Sequence, residues 1–192
     1  MKRTLLLTIA IGTLAGTAAL QAQSVQQADQ LISRDVPSTV EKVSLPEIAL
    51  DKSMTDFVVP VSTSMIDAKN KLVGFQGDFT FDERVITFQD PVIQKAGITG
   101  GNWNVSGNVL PGQGPIRILR ISAFANDFAP LNGSGTLFEL RLRRVAKGGE
   151  TTVLQWKPAP DNFIFIDADL NTQKPMAEVS GNAGPKSATS KK

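Results

Sequence analysis

Cysteine, histidine and tyrosine are all missing from this chain of 192 residues. With no cysteine there is no disulfide to lean on, so the chain must be held by its own hydrophobic core. The length suffices, because a domain of about 150 residues buries roughly 68–70% of the surface its unfolded chain exposes. With no histidine, Ser-His-Asp and Cys-His catalysis are excluded, and so is the commonest transition-metal ligand. An enzyme made from this sequence would be left with carboxylates, lysines and hydroxyls. For a carboxylate-pair glycosidase Asp78, Asp82 or Glu83 can be nominated. Acids at strand ends are ordinary turn formers, however, and the chain reads as a non-enzyme.

A basic excess is missing as well, once the first residues are set aside. Residues 1–22 have the form of a secretory signal peptide: a basic start at Lys2 and Arg3, an apolar run from Thr4 to about Leu20, and small residues up to a cleavage site that fits best after Ala22. The run contains Gly12 and Gly16 and is short for a bilayer span of about 20 residues, and no cysteine follows it to carry a lipid. Loss of Lys2 and Arg3 from the 20 basic residues leaves 18, equal to the 18 acidic ones. Nucleic-acid binding therefore has no electrostatic support. The sequence predicts an exported protein, periplasmic, extracellular or at the cell surface, with no membrane span after signal removal.

What the sequence does contain is a succession of strands. Residues 57–61 are a first apolar run, and over 73–81 Val73, Phe75, Gly77, Phe79 and Phe81 fall on one side of an extended chain with Gly74, Gln76, Asp78 and Thr80 on the other. Asp82-Glu83-Arg84 breaks the pattern, and Val85, Ile86 and Phe88 resume it. Residues 116–124 read as a central strand apolar on both faces for much of their length. In 136–145 Phe138, Leu140 and Leu142 alternate with Glu139, Arg141 and Arg143, and 151–157 and 162–167 supply two more strands around a proline-containing turn. Glycine and proline punctuate these runs at short intervals, and no convincing three-turn helix follows Pro46. The prediction is an all-β sandwich of about nine strands over 47–180. A polar spacer with weak helical spacing covers 23–46, and a disordered tail of small and basic residues covers 181–192.

The order of motifs resembles the cohesin domain family, a jelly-roll sandwich related in fold to bacterial carbohydrate-binding modules. The likeness rests on Val58-Val59-Pro60-Val61, on the strand from Leu72-Val73-Gly74-Phe75 to Phe81-Asp82, on the glycine-led entry Gly133-Ser134-Gly135-Thr136-Leu137, and on Gly148-Gly149-Glu150 before the strand that follows. The sequence departs from the family pattern after Asp167, where no aspartate-glycine turn precedes Met176 to Val179. The resemblance implies non-catalytic binding outside the cell: docking of a protein partner, dockerin-like or an envelope assembly component, with a link to polysaccharide degradation. Carbohydrate binding, or a structural and adhesive surface role, are the alternatives it leaves open.

Four sets of residues are candidates for a site. Gln76, Asp78 and Thr80 point away from the core on the phenylalanine-rich strand. Trp103, among glycines and asparagines, could stack on a sugar if exposed, whereas Trp156 shares a face with Thr152 and Leu154 and reads as core. Asp167, Asp169, Asn171 and Glu178 fall at the first, third, fifth and twelfth places of a calcium-loop window, although Thr172 stands where glycine is needed, and a hairpin with solvated carboxylates is the favoured reading. Calcium held by Asp167, Asp169 and Asn171 in another loop geometry stays open. Arg141, Arg143 and Arg144, beside Arg117 or Arg120, form either a basic strip or a solvated face paired across strands to glutamate, the latter being favoured.

Overall fold

The computed structural model describes residues 42–185. The expected signal peptide at 1–22, most of the spacer and residues 186–192 of the expected tail lie outside the described residues. The strands are β1 (Lys42–Ser44), β2 (Glu47–Leu50), β3 (Asp56–Ile66), β4 (Leu72–Asp82), β5 (Ile86–Lys95), β6 (Trp103–Pro111), β7 (Ile116–Ala125), β8 (Gly133–Arg144), β9 (Thr152–Trp156), β10 (Ile164–Asp167), β11 (Thr172–Gln173), β12 (Ala177–Val179) and β13 (Gly181–Pro185). The helical elements among the described residues are two single 3-10 turns, Ala68–Asn70 and Gly97–Thr99.

These strands form two sheets. One runs β12-β1-β3-β8-β5, and its long central pair β3 and β8 is antiparallel, with Val59 opposite Leu140. The other is built around β4. Along one edge β4 pairs with β7 from Gly74↔Phe124 to Asp82↔Ile116, and β6 lies outside β7. Its other edge is shared, the first half by β10 with β11 beyond, the second half by β9 with β13 and β2 beyond. The two parallel pairs, β1 with β12 and β2 with β13, tie the chain's two described ends into the sheets.

The period-two pattern of β4 sets the core. Phe75, Phe79 and Phe81 are fully buried, each burial stabilising the fold by roughly 1.5–3 kcal/mol. Phe75 lies within 5.6–5.9 Å, ring centre to ring centre, of Phe163, Phe138 and Trp103, joining the two sheets through one aromatic cluster. Gly77 interrupts the phenylalanine series for a steric reason. A Cβ there would stand 2.8 Å from Phe163 Cα, so only glycine lets the segment entering β10 cross at this depth.

The all-β sandwich is found as expected, but with thirteen strands instead of about nine. β1, β2, β11 and β13 span two to five residues and lie where no alternation is long enough to read, and β6 is a further strand that starts where Trp103 was expected on a loop. β13 corrects the expected tail, which was to begin at Gly181. The segment has no large side chain because there is no room for one: a Cβ on Gly181 would lie 2.2 Å from the Pro46 carbonyl oxygen, and Ala183 is fully buried between β2 and β9. Likewise Lys42–Ser44 is paired to β3 and β12, so the spacer ends earlier than Pro46. β7 is buried on one face only, with Arg120, Ser122 and Phe124 turned outward.

Candidate functional site

The outer face of β6, β7, β4 and β9 is assembled row by row from the strand register. Asn104, Phe124, Gly74 and Ile166 form one row, and Ser106, Ser122, Gln76 and Ile164 the next. Below them come Asn108, Arg120 and Asp78, then Leu110, Ile118, Thr80 and Gln155. Because cross-strand neighbours are about 4.5–5.5 Å apart, each row is a nearly continuous strip of side chains. A shallow depression of about 300 Å³ sits at the centre of the face, lined by Gln76, Asp78, Asn108, Arg120, Ser122 and Asp161 among others.

Electrostatically this centre closes on itself. Asp78 is buried, and Arg120 donates from Nε and Nη2 to its two carboxylate oxygens at 2.9 and 2.8 Å, a bidentate fork. Arg120 also approaches Asp161 at 3.7 Å, and Lys157 donates to Asp161 from the other side. The hydrogen bond from Lys157 lowers the Asp161 pKa, and that to Asp78 raises the pKa of Arg120. Two acids and two bases thus cancel, leaving a rim of amides, hydroxyls and apolar groups. Within that rim Phe124 is 53% exposed, and the Ser106 and Ser122 hydroxyls meet at 3.0 Å.

The sequence candidates distribute unevenly over this arrangement. Gln76 and Thr80 do face outward as expected, Gln76 exposed and Thr80 half-buried, its hydroxyl 3.4 Å from the Gln155 carbonyl. Asp78 points to the same face but is covered by Arg120 and buried, so it supports the face instead of presenting a free carboxylate. Trp103 is not a platform. It is 6% exposed and stacked on Phe75 at 5.9 Å and 20°, because the first residue of β6 turns its side chain under the sheet. Trp156 is core too, edge-on to Phe79 and Phe163.

The residues nominated for calcium have a structural role in the β10–β11 hairpin. Asp167 Oδ1 accepts from the Asp169 and Asn171 backbone N–H groups at 2.9 Å each, and the Asn171 and Gln173 side chains donate to the same carboxylate. Burial opposes its ionisation, but these hydrogen bonds outweigh burial and hold its pKa below the usual value. The carboxylate is spent on closing the β10–β11 hairpin. Glu178 bonds Asn162 instead of joining it, and no metal-holding group of three or more histidines, cysteines, aspartates or glutamates occurs among the described residues.

The five arginines do not form one strip. Arg141, Arg143 and Arg144 lie on β8 in the five-stranded sheet, and Arg117 and Arg120 on β7 in the other. Arg143 pairs with Asp56 at 2.7 Å, Arg141 donates to the Asp90 and Pro91 carbonyls, and Arg144 donates to the Asp51 carbonyl. The partners of the β8 arginines are an aspartate, the Gln89 side-chain oxygen and carbonyls, while Arg117 on β7 meets a glutamate, Glu83. The three nominated carboxylates each meet an arginine as well: Asp78 with Arg120, Asp82 with Arg84 and Glu83 with Arg117. The Arg84 hydrogen bond lowers the Asp82 pKa, the opposite of what a general acid needs.

Ser122 and Phe124 were missed in the sequence, and Arg120 was named there only for a basic strip with the arginines of β8. The signal was present as the alternation Arg120-Ile121-Ser122-Ala123-Phe124, obscured by the apolar Ile116, Ile118 and Leu119 that precede it.

No protein-family model matches the chain, and no curated protein matches it in sequence. Solved structures do match. A chain of a type I cohesin–dockerin complex from Clostridium thermocellum superposes with a TM-score of 0.61 at 15% identity, covering 78% of this chain and all of that one. A non-cellulosomal cohesin from the hyperthermophilic archaeon Archaeoglobus fulgidus gives 0.53 at 17% identity over 80% and 94% of the two chains. For the sixth cohesin of scaffoldin B from Acetivibrio cellulolyticus, solved with a Cel5 dockerin, the values are 0.55 and 14% over 78% and 100%. The fold of this protein is therefore the cohesin-like jelly-roll sandwich.

Proposed function

We propose that the chain is an exported, non-catalytic module that docks a protein partner through the outer face of β6, β7, β4 and β9. The observation that carries this reading is the character of that face: a laterally hydrogen-bonded platform whose charges are internally paired and whose remaining surface is amide, hydroxyl and apolar. Charged residues are depleted at interface centres, and a rigid sheet loses little freedom on binding. Support also comes from solved neighbours of the same fold that were crystallised with dockerins. A dockerin-like module or an envelope assembly component is the corresponding partner, and polysaccharide degradation the corresponding setting. Export rests on the signal-like residues 1–22. Sugar binding is less favoured because both indoles are in the core.

The test places a photo-crosslinking phenylalanine analogue at Gln76 or Ser122, and at Val58 on the opposite sheet as a control. Illumination in the native secreted or periplasmic fraction should give a protease-sensitive adduct at the first two positions and not at Val58. Adducts of equal yield at Val58, adducts that are glycan, or none at any position overturn the proposal.

A further inference from the structure

The four most exposed large hydrophobic side chains of the described residues gather at one end of the sandwich. They are Leu170 at 81%, Met176 at 73%, Phe128 at 72% and Met65 at 62%. The start of β4 marks this end. Leu131 N–H donates to the Leu72 carbonyl at 2.8 Å and Ala168 N–H to the Lys71 carbonyl at 3.0 Å, so the loops carrying Phe128 and Leu170 flank Lys71 on either side. Met65 precedes the last residue of β3, which ends here. Lys42 N–H reaches Ser64 Oγ at 3.0 Å and pairs with Ala177, which brings Met176 alongside.

The backbone singles out the same place. Lys71, Phe128 and Leu170 are the non-glycine residues with positive φ among the described residues, at 51°, 57° and 64°, and all three lie at this end. Left-handed backbone disfavours bulky side chains, and glycine or asparagine would serve each turn better. The turns are held by other groups: Asp127 Oδ1 accepts from Ala129 N–H, and Asp167 Oδ1 from Asp169 and Asn171 N–H. Folding therefore does not require phenylalanine or leucine at these tips, and strain of this kind concentrates at working surfaces.

We infer that this end is a self-complementary interface through which two copies of the chain associate about a twofold axis. Four large side chains at these exposures present on the order of 500 Å² of apolar surface, toward the upper end of the roughly 300–600 Å² spanned by the largest patch of a monomer, a patch that is often functional. With their polar surroundings they approach the roughly 800 Å² per partner of a standard interface. The charges fit a second copy: Asp127 and Asp169 stand immediately before Phe128 and Leu170, and Lys71 lies between the two loops. A twofold brings the lysine of one copy to the aspartates of the other.

Sedimentation velocity over micromolar to submillimolar concentration tests this on the chain with residues 1–22 removed, alongside its Phe128→Gly/Leu170→Gly variant. Glycine relieves the left-handed backbone, so the variant's thermal midpoint should hold or rise while its self-association weakens at least about tenfold. A native chain that stays monomeric over the range overturns the inference, as does a variant that associates as tightly as the native chain. Binding of monomeric native chain to neutral or anionic vesicles likewise overturns it, in favour of a membrane contact. None of these outcomes bears on the crosslinks from Gln76 and Ser122.

Discussion

Replacing Trp103 by alanine separates a core role for this residue from a surface one. The indole is 6% exposed and stacked on Phe75, which in turn touches Phe138 of the opposite sheet, so its removal opens a cavity beneath the start of β6. Truncating a buried tryptophan costs about 3–5 kcal/mol, with the loss set by how far the site can collapse. Here Trp103 follows the glycines of 100–101 and begins a strand paired on one side only, so partial collapse is available and about 3 kcal/mol is the better figure. At about 2–4 °C per kcal/mol for a domain of this size, the midpoint of thermal unfolding should fall by roughly 6–12 °C. Trp103→Phe keeps the stacking partner and should recover most of the loss. The chain has no tyrosine, so intrinsic fluorescence reports Trp103 and Trp156 alone and gives an independent reading: blue-shifted emission poorly quenched by iodide. A midpoint lowered by less than about 2 °C, with emission that iodide quenches freely, would refute the argument and return Trp103 to the surface.

Gly77→Ala should destabilise the fold by about 1–3 kcal/mol in a denaturant titration, because its Cβ meets Phe163 Cα, whereas Gly101→Ala, with open space around it, should change nothing measurable. Ending the chain after Ser180 should leave β2 and β9 without the strand between them and cause a large loss of stability, and ending it after Pro185 should not; equal stability of the two truncations would refute the β13 assignment. Burial raises the folded pKa of Glu178 above its usual 4.5, so the native state holds that proton more firmly than the unfolded chain and the group costs stability once pH rises through this window. Glu178→Gln should accordingly be stabilising at pH 7 and neutral below pH 4. Asp82 has the opposite sign: its folded pKa is depressed by the Arg84 hydrogen bond, so its contribution is present above its usual 3.8 and is lost as pH falls through the lower folded value. Asp82→Asn should flatten that acid limb. Finally, millimolar calcium or a chelator should leave the thermal midpoint unchanged, since a ligand bound only by the native state would raise it by several degrees.

Much of the fold was legible because its long strands carry period-two patterns. The phenylalanines of β4 and the Phe138-Leu140-Leu142 series of β8 each specify an inner face whatever their neighbours are, since burying one side of a strand dictates every second residue. The absence of cysteine and histidine settled in advance that a hydrophobic core holds the protein and that histidine chemistry is excluded. Gln76 and Thr80 were placed on the outer face for the same reason of periodicity.

What the sequence did not determine depends on which strands become neighbours. Asp78 looked like an exposed carboxylate until β7 brought Arg120 opposite it, and Trp103 looked like a loop residue until β6 turned it against Phe75. Gly181–Pro185 looked like a tail because the signal for a strand in so narrow a slot is the lack of side chains, which in sequence is also the sign of disorder. The gathering of Leu170, Met176, Phe128 and Met65 at one end comes from the β7–β8, β10–β11 and β11–β12 loops and the end of β3. Alternation along a strand is a local property written in the chain, whereas pairing partners, close approach and shared ends are long-range, and only the tertiary structure decided them.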